Sequence, residues 1–441
     1  MNPTPIDGLE IHPLDVHADN RGWFKENWSG QRLRPVQNNI SFNARVGATR
    51  GMHAEPWDKW VSVATGRVFA AWVDLREGSE TFATKFGVEI GPDTAVFVPR
   101  GVANGFQALE DATTYTYLVN ARYNPNGAYA YCSYREIDWP LEPTELSEAD
   151  QKHPPLADAR TVPPRKILVT GANGQLGRAL RKVYSEREAE FCTRAEFDIT
   201  APPARDWNEY RAIINCAAYN DVNGAETERG TAWAVNADAV AGLARIASEH
   251  DLTLVHVSSD YVFDGLNTEQ HTEDELPSPL SAYGASKSAG ETAARATPRH
   301  YVIRTSWVFG EGANFMDTMA RLADKGVSPS VVADQRGRPT HADDLAHGIA
   351  HLLATKAEYG VYNITSDGDA VGRDEIAMSV FIGVGADPSD VTPVTTAQYA
   401  ELNGPEAPRP KESTLSLDKI KATGFSPRNW RAALAIYLAA R

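Results

Sequence analysis

The spacing of apolar positions changes near residue 160. Before it, Val61 and Val63, then Val68, Ala70 and Trp72, fall on alternate positions, the period of strands with one buried face. Lys59–Asp74, Ala95–Pro99 and Thr113–Val119 are short β-prone runs broken by Gly, Asn and Pro, and they predict an antiparallel sandwich or barrel. After it, the compact apolar runs Lys166–Thr170, Ala212–Ala217, Leu252–Ser258 and Tyr301–Trp307 are separated by Ala-rich stretches such as Thr231–His250 and Ser286–Ala296. Strands alternating with helices predict a parallel, doubly wound α/β sheet. Between the two textures, Pro140, Pro143, Pro154, Pro155, Pro163 and Pro164 stand among charged residues and predict an extended linker with little helix. The expected organisation is an all-β domain over 1–145, a linker over 146–164 and an α/β domain over 165–441.

A chain of 441 residues, 42% hydrophobic and 23% charged, suits two packed domains and excludes disorder. The formal net charge of -15 argues against nucleic acid and against an anionic membrane surface as partner. Cys132, Cys192 and Cys216 have neither the number nor the spacing of a disulfide framework or a zinc site, so a reducing cytoplasm is expected and no metal ligands are singled out. Met1-Asn2-Pro3-Thr4-Pro5 lacks the basic and apolar regions of a signal peptide, and no apolar run is long enough for a membrane span.

Lys166–Thr170 leads directly into Gly171-Ala-Asn173-Gly174-Gln175-Leu176-Gly177 and then a helical stretch. Glycines in such a turn let backbone N–H groups and a helix N-terminus approach a pyrophosphate, so a dinucleotide site is expected here, although the spacing is GxxGxxG rather than GxGxxG. The second strand should end near Phe191–Arg194. Arg194 stands where an acidic residue would select NAD, so NADPH is expected with NADH tolerated, and Asp198 and Ile199 fall on the adenine side. Tyr283 and Lys287 are one helical turn apart, which lets an ammonium favour the phenolate of a neighbouring tyrosine. Ser258 and Ser259 end a strand upstream and can present a hydroxyl beside Tyr283.

The segments Gly171–Gly177, Ser258-Ser-Asp-Tyr-Val-Phe-Asp-Gly265, Tyr283-Gly-Ala-Ser-Lys287, Ile303-Arg-Thr-Ser-Trp-Val-Phe-Gly310 and Asp334-Gln-Arg-Gly-Arg-Pro-Thr340 occur in order. Over residues 165–441 this resembles the extended short-chain dehydrogenase/reductases, and within them dTDP-4-dehydrorhamnose reductase. The resemblance implies a Rossmann fold with a small substrate-binding subdomain, and hydride transfer to C4 of a 4-keto-6-deoxy sugar. It implies Tyr283 as proton donor tuned by Lys287, with Ser259 in place of the family's threonine. Asp260, Tyr261 and Trp307 would then contact the sugar nucleotide. Asn215, Ala217, Ala218 and Tyr219, at the end of an expected fourth strand, would line the cofactor.

In the first half, Arg50-Gly-Met-His53 and Lys59 offer diphosphate-binding cations and a candidate base. Asp19-Asn-Arg21-Gly-Trp-Phe-Lys-Glu26, Gln37-Asn-Asn39, Arg50–His53, Lys59, Val98-Pro-Arg-Gly101 and Tyr117 resemble dTDP-4-dehydrorhamnose 3,5-epimerase over residues 5–140, a cupin-type jelly-roll barrel. The resemblance implies His53 as base, Lys59 as enolate stabiliser and Tyr117 as the opposing acid. It implies nucleotide contacts from Arg21, Glu26, Gln37, Asn39 and Arg50. Two departures stand out. Asn104 occupies a position where the family has histidine. The carboxylate that orients the base is expected just before Trp139-Pro140, where Cys132 and its neighbours are not acidic, which opens slow, single-centre or lost epimerisation as an alternative to the active epimerase expected. The leading expectation is a bifunctional enzyme making dTDP-L-rhamnose, and both resemblances imply a homo-oligomer. The alternatives are a reductase of a related deoxysugar nucleotide with a single-centre or inactive epimerase half, and a non-catalytic NAD(P)-binding regulator. A need for Mg²⁺ stays open.

Overall fold

A computed structural model describes residues 2–30, 32–266 and 269–441. The chain divides into two compact units, Met1–Arg165 and Lys166–Arg441.

The first unit is built from two antiparallel sheets. One has the order Asn2–Pro3, Glu10–Pro13, Thr94–Val98, Lys59–Thr65, Thr113–Val119, Gln37–Asn43. The other has the order Ala130–Tyr131, Thr49–Ala54, Val102–Ala108, Val68–Asp74, Lys85–Ile90. The alternating residues Val61, Val63, Val68, Ala70 and Trp72 are all fully buried and share a core with Val96, Val102, Phe106 and Tyr115. Each buried Val contributes roughly 1.5–3 kcal/mol relative to exposure. The run expected as one element over 59–74 is two strands in different sheets. The chain turns between them at Gly66 (φ +77), where a Cβ would come 2.3 Å from Thr113 Oγ1.

The expected linker is part of this unit. Its prolines break regular structure, but Leu156, Ala159 and Val162 pack against Met52, Ala71 and Val73, and helical turns form at Asp150–Lys152 and Leu156–Asp158. Apolar burial holds the segment down where composition alone suggested a free tether.

The second unit centres on a six-stranded sheet of order Ala189–Cys192, Lys166–Thr170, Tyr210–Asn215, Thr253–Val257, His300–Arg304, Gly360–Asn363, every pair parallel. Helices Gln175–Val183 and Ala342–Thr355 cover one face, and Ala239–Glu249 covers the other. Strand order reverses between Lys166–Thr170 and Tyr210–Asn215, so the carboxyl ends of these two strands open a crevice. Tyr210–Asn215 is the third strand in chain order, not the fourth, because only a helical turn at Trp207–Glu209 intervenes after Cys192. The stretch expected as one helix over 231–250 contains a π-helical turn, Ala234–Asp238. A smaller subdomain packs helices Phe315–Asp324, Arg373–Gly383 and Trp430–Ala439 around Met316, Ile376, Phe381 and Trp430. No helix among the described residues is long and apolar enough to cross a membrane.

Candidate active sites

In the second unit the three glycines of the turn do different work. Gly171 has φ +67, and a Cβ there would lie 2.7 Å from the Ala217 nitrogen. At Gly177 a Cβ would lie 2.6 Å from Ala172 Cα. Both serve close packing. Gly174 is exposed at the N-cap of Gln175–Val183, and a Cβ there would meet only the Gly171 carbonyl, at 3.3 Å. Its open side, the exposed Asn173 and the helix N-terminus are what a pyrophosphate requires. Gln175 donates to the Ala313 carbonyl (3.4 Å) and Leu176 is buried. The Asn215 side chain accepts from Thr170 (2.7 Å) and from the Ala217 N–H (3.3 Å), fixing Ala217 against Gly171, and Ala218 follows. The Tyr219 N–H is held by Asn236 of the π-helical turn (2.9 Å). Arg194 is exposed and reaches Asp198 (3.3 Å), while Ile199 is buried.

Ser281 caps helix Ala282–Ala294 by accepting the Gly284 N–H (3.1 Å), which sets Tyr283 and Lys287 in successive turns. The Ser259 hydroxyl donates to Asp260 (3.0 Å) and accepts the Tyr261 N–H (3.2 Å), and it acts on the Tyr283 phenol to favour the phenolate. The Tyr261 ring meets Tyr283 edge-on at 6.0 Å. Four of the expected residues are therefore together. Lys287 is not among the groups that shift the Tyr283 phenol. Burial and the Asp260 charge push the Tyr283 phenol above its ordinary value, and the Ser259 hydrogen bond is what opposes them. The Lys287 ammonium donates to the Val257 carbonyl (2.5 Å), and burial pulls it down to about 8 against the charge of Glu291.

Asp260 is buried and pushed up to about 6 by that burial, with Ser413, Ser259 and Arg373 working the other way. Arg373, which the sequence did not single out, donates to the Tyr261 hydroxyl (2.9 Å) and lies 4.8 Å over the Trp307 ring. Trp307 itself has φ +43, unusual for a bulky residue. Asp260 Oδ2, Trp307 Nε1 and Arg373 Nε are buried polar atoms without a hydrogen-bond partner. Each such atom costs about 1–3 kcal/mol, so a cluster of three marks where a polar ligand supplies the missing partners. Gly372-Arg373-Asp374-Glu375 reads as a helix start, but nothing in it says which way the arginine faces.

The first unit holds a cavity of about 1340 Å³ lined by Gln37, Asn39, Arg50, His53, Lys59 and Tyr117. Arg21, in the turn of the hairpin Val16–Asp19/Gly22–Lys25, and Glu26, just after it, are exposed and do not line the cavity, and Arg21 pairs with Asp19. The anticipated loss of the orienting carboxylate is overturned: Asp150 Oδ1 lies 2.7 Å from His53 Nε2. Burial opposes the Asp150 charge, yet the His53 hydrogen bond and charge, with the Gly51 N–H, hold its carboxyl below the ordinary value. The residue was missed because it lies in the proline-rich stretch assigned to a linker. Lys59 pairs with Glu55 and sits 5.6 Å from the Tyr117 ring. Burial and the Glu55 charge raise the Tyr117 phenol, opposed by Arg50. Asn104 accepts from the Tyr115 hydroxyl (3.2 Å).

Residues 165–441 match the family described as RmlD substrate binding domain, and residues 3–158 match dTDP-4-dehydrorhamnose 3,5-epimerase. The chain is 39% identical over 287 residues to a dTDP-4-dehydrorhamnose reductase of Mycobacterium tuberculosis, covering 62% of this chain and 93% of that protein. It is 43% identical over 182 residues to a Streptococcus pyogenes protein named RmlC homolog, covering 37% of this chain and 91% of that one. Among solved structures, the dTDP-4-dehydrorhamnose reductase of Bacillus anthracis in complex with NADP superimposes with a TM-score of 0.57 at 32% identity, covering 63% of this chain and all of that one.

Proposed function

The chain belongs to the RmlD reductase family over residues 165–441 and to the dTDP-4-dehydrorhamnose 3,5-epimerase family over residues 3–158, and we propose that it carries out two consecutive steps on one sugar nucleotide. The first is 3,5-epimerisation of dTDP-4-dehydro-6-deoxyglucose. The second is reduction of the C4 ketone to give dTDP-L-rhamnose.

In the first step, the C4 ketone makes the protons on C3 and C5 acidic. Asp150, charged and accepting from His53 Nε2, leaves the lone pair of the histidine on Nδ1, where it serves as base. Lys59 faces the enolate oxygen and Tyr117 returns a proton from the opposite face. Gln37, Asn39 and Arg50 bind the nucleotide from the cavity wall. Arg21 and Glu26 reach it only in an assembly. Ile40 and Phe42 are exposed on the edge strand Gln37–Asn43, and pairing of two copies along this edge would cover them and bring Arg21 and Glu26 of one copy to the cavity of the other.

In the second step, a reduced nicotinamide dinucleotide at the glycine turn supplies the hydride. Gly174, Asn173 and the first helical N–H groups hold its pyrophosphate, Ala217 to Tyr219 flank its ring side, and Arg194 faces a 2′-phosphate, which favours NADPH with NADH accepted. Tyr283 gives its proton to the developing alkoxide, Ser259 donates a hydrogen bond to the same oxygen, and Lys287 holds the ribose. Asp260, Tyr261, Trp307 and Arg373 bind the sugar nucleotide. Free cysteines throughout fit a cytoplasmic protein.

The observation that carries this reading is the His53–Asp150 pair inside a cavity that also holds Lys59 and Tyr117: a complete acid–base set for epimerisation on the same chain as the Tyr283–Ser259 pair. The test is incubation with dTDP-4-dehydro-6-deoxyglucose and NADPH, followed by identification of the sugar. dTDP-L-rhamnose supports the reading, and a reduced sugar that keeps the starting configuration at C3 or C5 overturns it.

A further inference from the structure

The sequence singled out no metal ligands, yet His53, Asp150 and His153 bring two imidazoles and a carboxylate together at one end of the barrel cavity. One ligand atom from each lies within 4.8 Å of the others. Asp150 Oδ1 is 2.7 Å from His53 Nε2 and 4.0 Å from His153 Nδ1. The His153 ring is nearly buried, stacked at 4.8 Å on Tyr131 and edge-on to His53 at 5.2 Å. Its Nδ1 is a buried polar atom with no hydrogen-bond partner. The epimerisation chemistry uses His53 and Asp150 but has no task for His153.

We propose that His53, Asp150 and His153 form a binding site for a zinc-class divalent ion, and that its occupancy switches off the first unit. Two imidazoles and one carboxylate, with a fourth position open to the cavity, are a donor set of the kind such ions take, at about 2.0–2.2 Å from each ligand atom. Ligand atoms of a tetrahedral site stand roughly 3.3–3.5 Å apart by those bond lengths, so His153 must close on Asp150 from 4.0 Å, His53 and Asp150 must part from 2.7 Å, and the two imidazoles start within 4.8 Å of each other, adjustments that side-chain rotation supplies. The unpartnered Nδ1 gains a partner when it closes.

The consequence follows from the two nitrogens of one ring. A metal on His53 Nε2 displaces the hydrogen bond to Asp150 and leaves the ring proton on Nδ1. The lone pair that abstracts the sugar proton is then gone, while Tyr283 and Ser259 are untouched. Zinc would thus stop epimerisation and spare reduction of an already epimerised ketone. This second part rests on the epimerase reading; the binding site itself does not.

The test uses the full chain after chelator treatment. Added CoCl₂ should give the intense visible bands of a four-coordinate site, and ZnCl₂ should bleach them. His153→Ala should abolish the bands, and His153→Gln, which keeps a planar polar group against Tyr131, guards against a folding artefact. ZnCl₂ should then suppress solvent deuterium uptake at C3 and C5 of the keto-sugar in wild type, reversibly with chelator, while His153→Gln keeps exchanging. No cobalt bands, or identical bands in both variants, overturns the site. Bands together with zinc-insensitive exchange overturns the switch. Bands in a wild-type protein that never exchanges leave the site standing and remove the epimerase reading.

Discussion

Asp150→Asn tests the repaired half of the molecule. The carboxylate lies 2.7 Å from His53 Nε2 and is itself buried. Losing a hydrogen bond to a charged group costs about 1.5–3 kcal/mol, roughly 10- to 150-fold in rate. The amide adds a second fault, because its NH₂ can donate to Nε2 and drive the ring proton to Nδ1, the atom that must act as base. The same exchange in a Ser-His-Asp triad costs about 10⁴-fold for this reason. The expected loss in epimerisation therefore lies between about 10² and 10⁴. It is read as the rate at which the C3 and C5 proton signals of the keto-sugar disappear in D₂O without cofactor. Reduction of pre-epimerised ketone should be unchanged, and a thermal melt should confirm that the variant folds. Exchange within about threefold of wild type would refute the claim that Asp150 sets the state of His53.

Four further outcomes follow. Tyr283→Phe should lower NADPH-dependent reduction by about 10²- to 10⁴-fold, the usual worth of a positioned proton donor, while deuterium exchange at C3 and C5 proceeds at the wild-type rate. Gly177→Ala places a Cβ 2.6 Å from Ala172 Cα and should destabilise the second unit by about 1–3 kcal/mol, whereas Gly174→Ala should leave its melting temperature unchanged and weaken NADPH binding, measured by titration calorimetry. Arg373→Ala should raise KM for the sugar nucleotide about 10- to 150-fold, the range for a lost charged hydrogen bond, with cofactor affinity unaltered. Asp260 has its folded value raised from 3.8 to about 6, so its charge destabilises the fold: the cost is absent below about pH 4, grows as pH rises to about 6 and is full above it, about 3 kcal/mol. Asp260→Asn should accordingly slow hydrogen exchange of the sheet strands in 166–441 at pH 8 but not at pH 4, while weakening substrate binding.

What the sequence revealed depended on range. Val61, Val63, Val68, Ala70 and Trp72 were readable as a core face because burial imposes a period of two on neighbours in one strand. The glycine turn was readable because strand, turn and helix are contiguous. The rule that ligands gather at the carboxyl ends of parallel strands pointed to Ser258 or Ser259 beside Tyr283, and the resemblance singled out Ser259. Asp150 was hidden, since it meets His53 from 97 positions away and its prolines suggested a tether. Arg373 meets Tyr261 from 112 positions away. The spacing of Tyr283 and Lys287 was read correctly as one helical turn, but spacing says nothing of the Val257 carbonyl that claims the ammonium. Arg21 and Glu26 carry a legible motif, but the fold leaves both exposed and outside the cavity lining.

On the proposed function, one chain inverts two carbons through His53 and then reduces a third through Tyr283. The most direct measurement is a single reaction in D₂O with dTDP-4-dehydro-6-deoxyglucose and NADPH, the product sugar being assigned by NMR. The expected product is dTDP-L-rhamnose carrying deuterium at C3 and C5 and protium from NADPH at C4. Protium retained at C3 or C5 of a reduced product would contradict it.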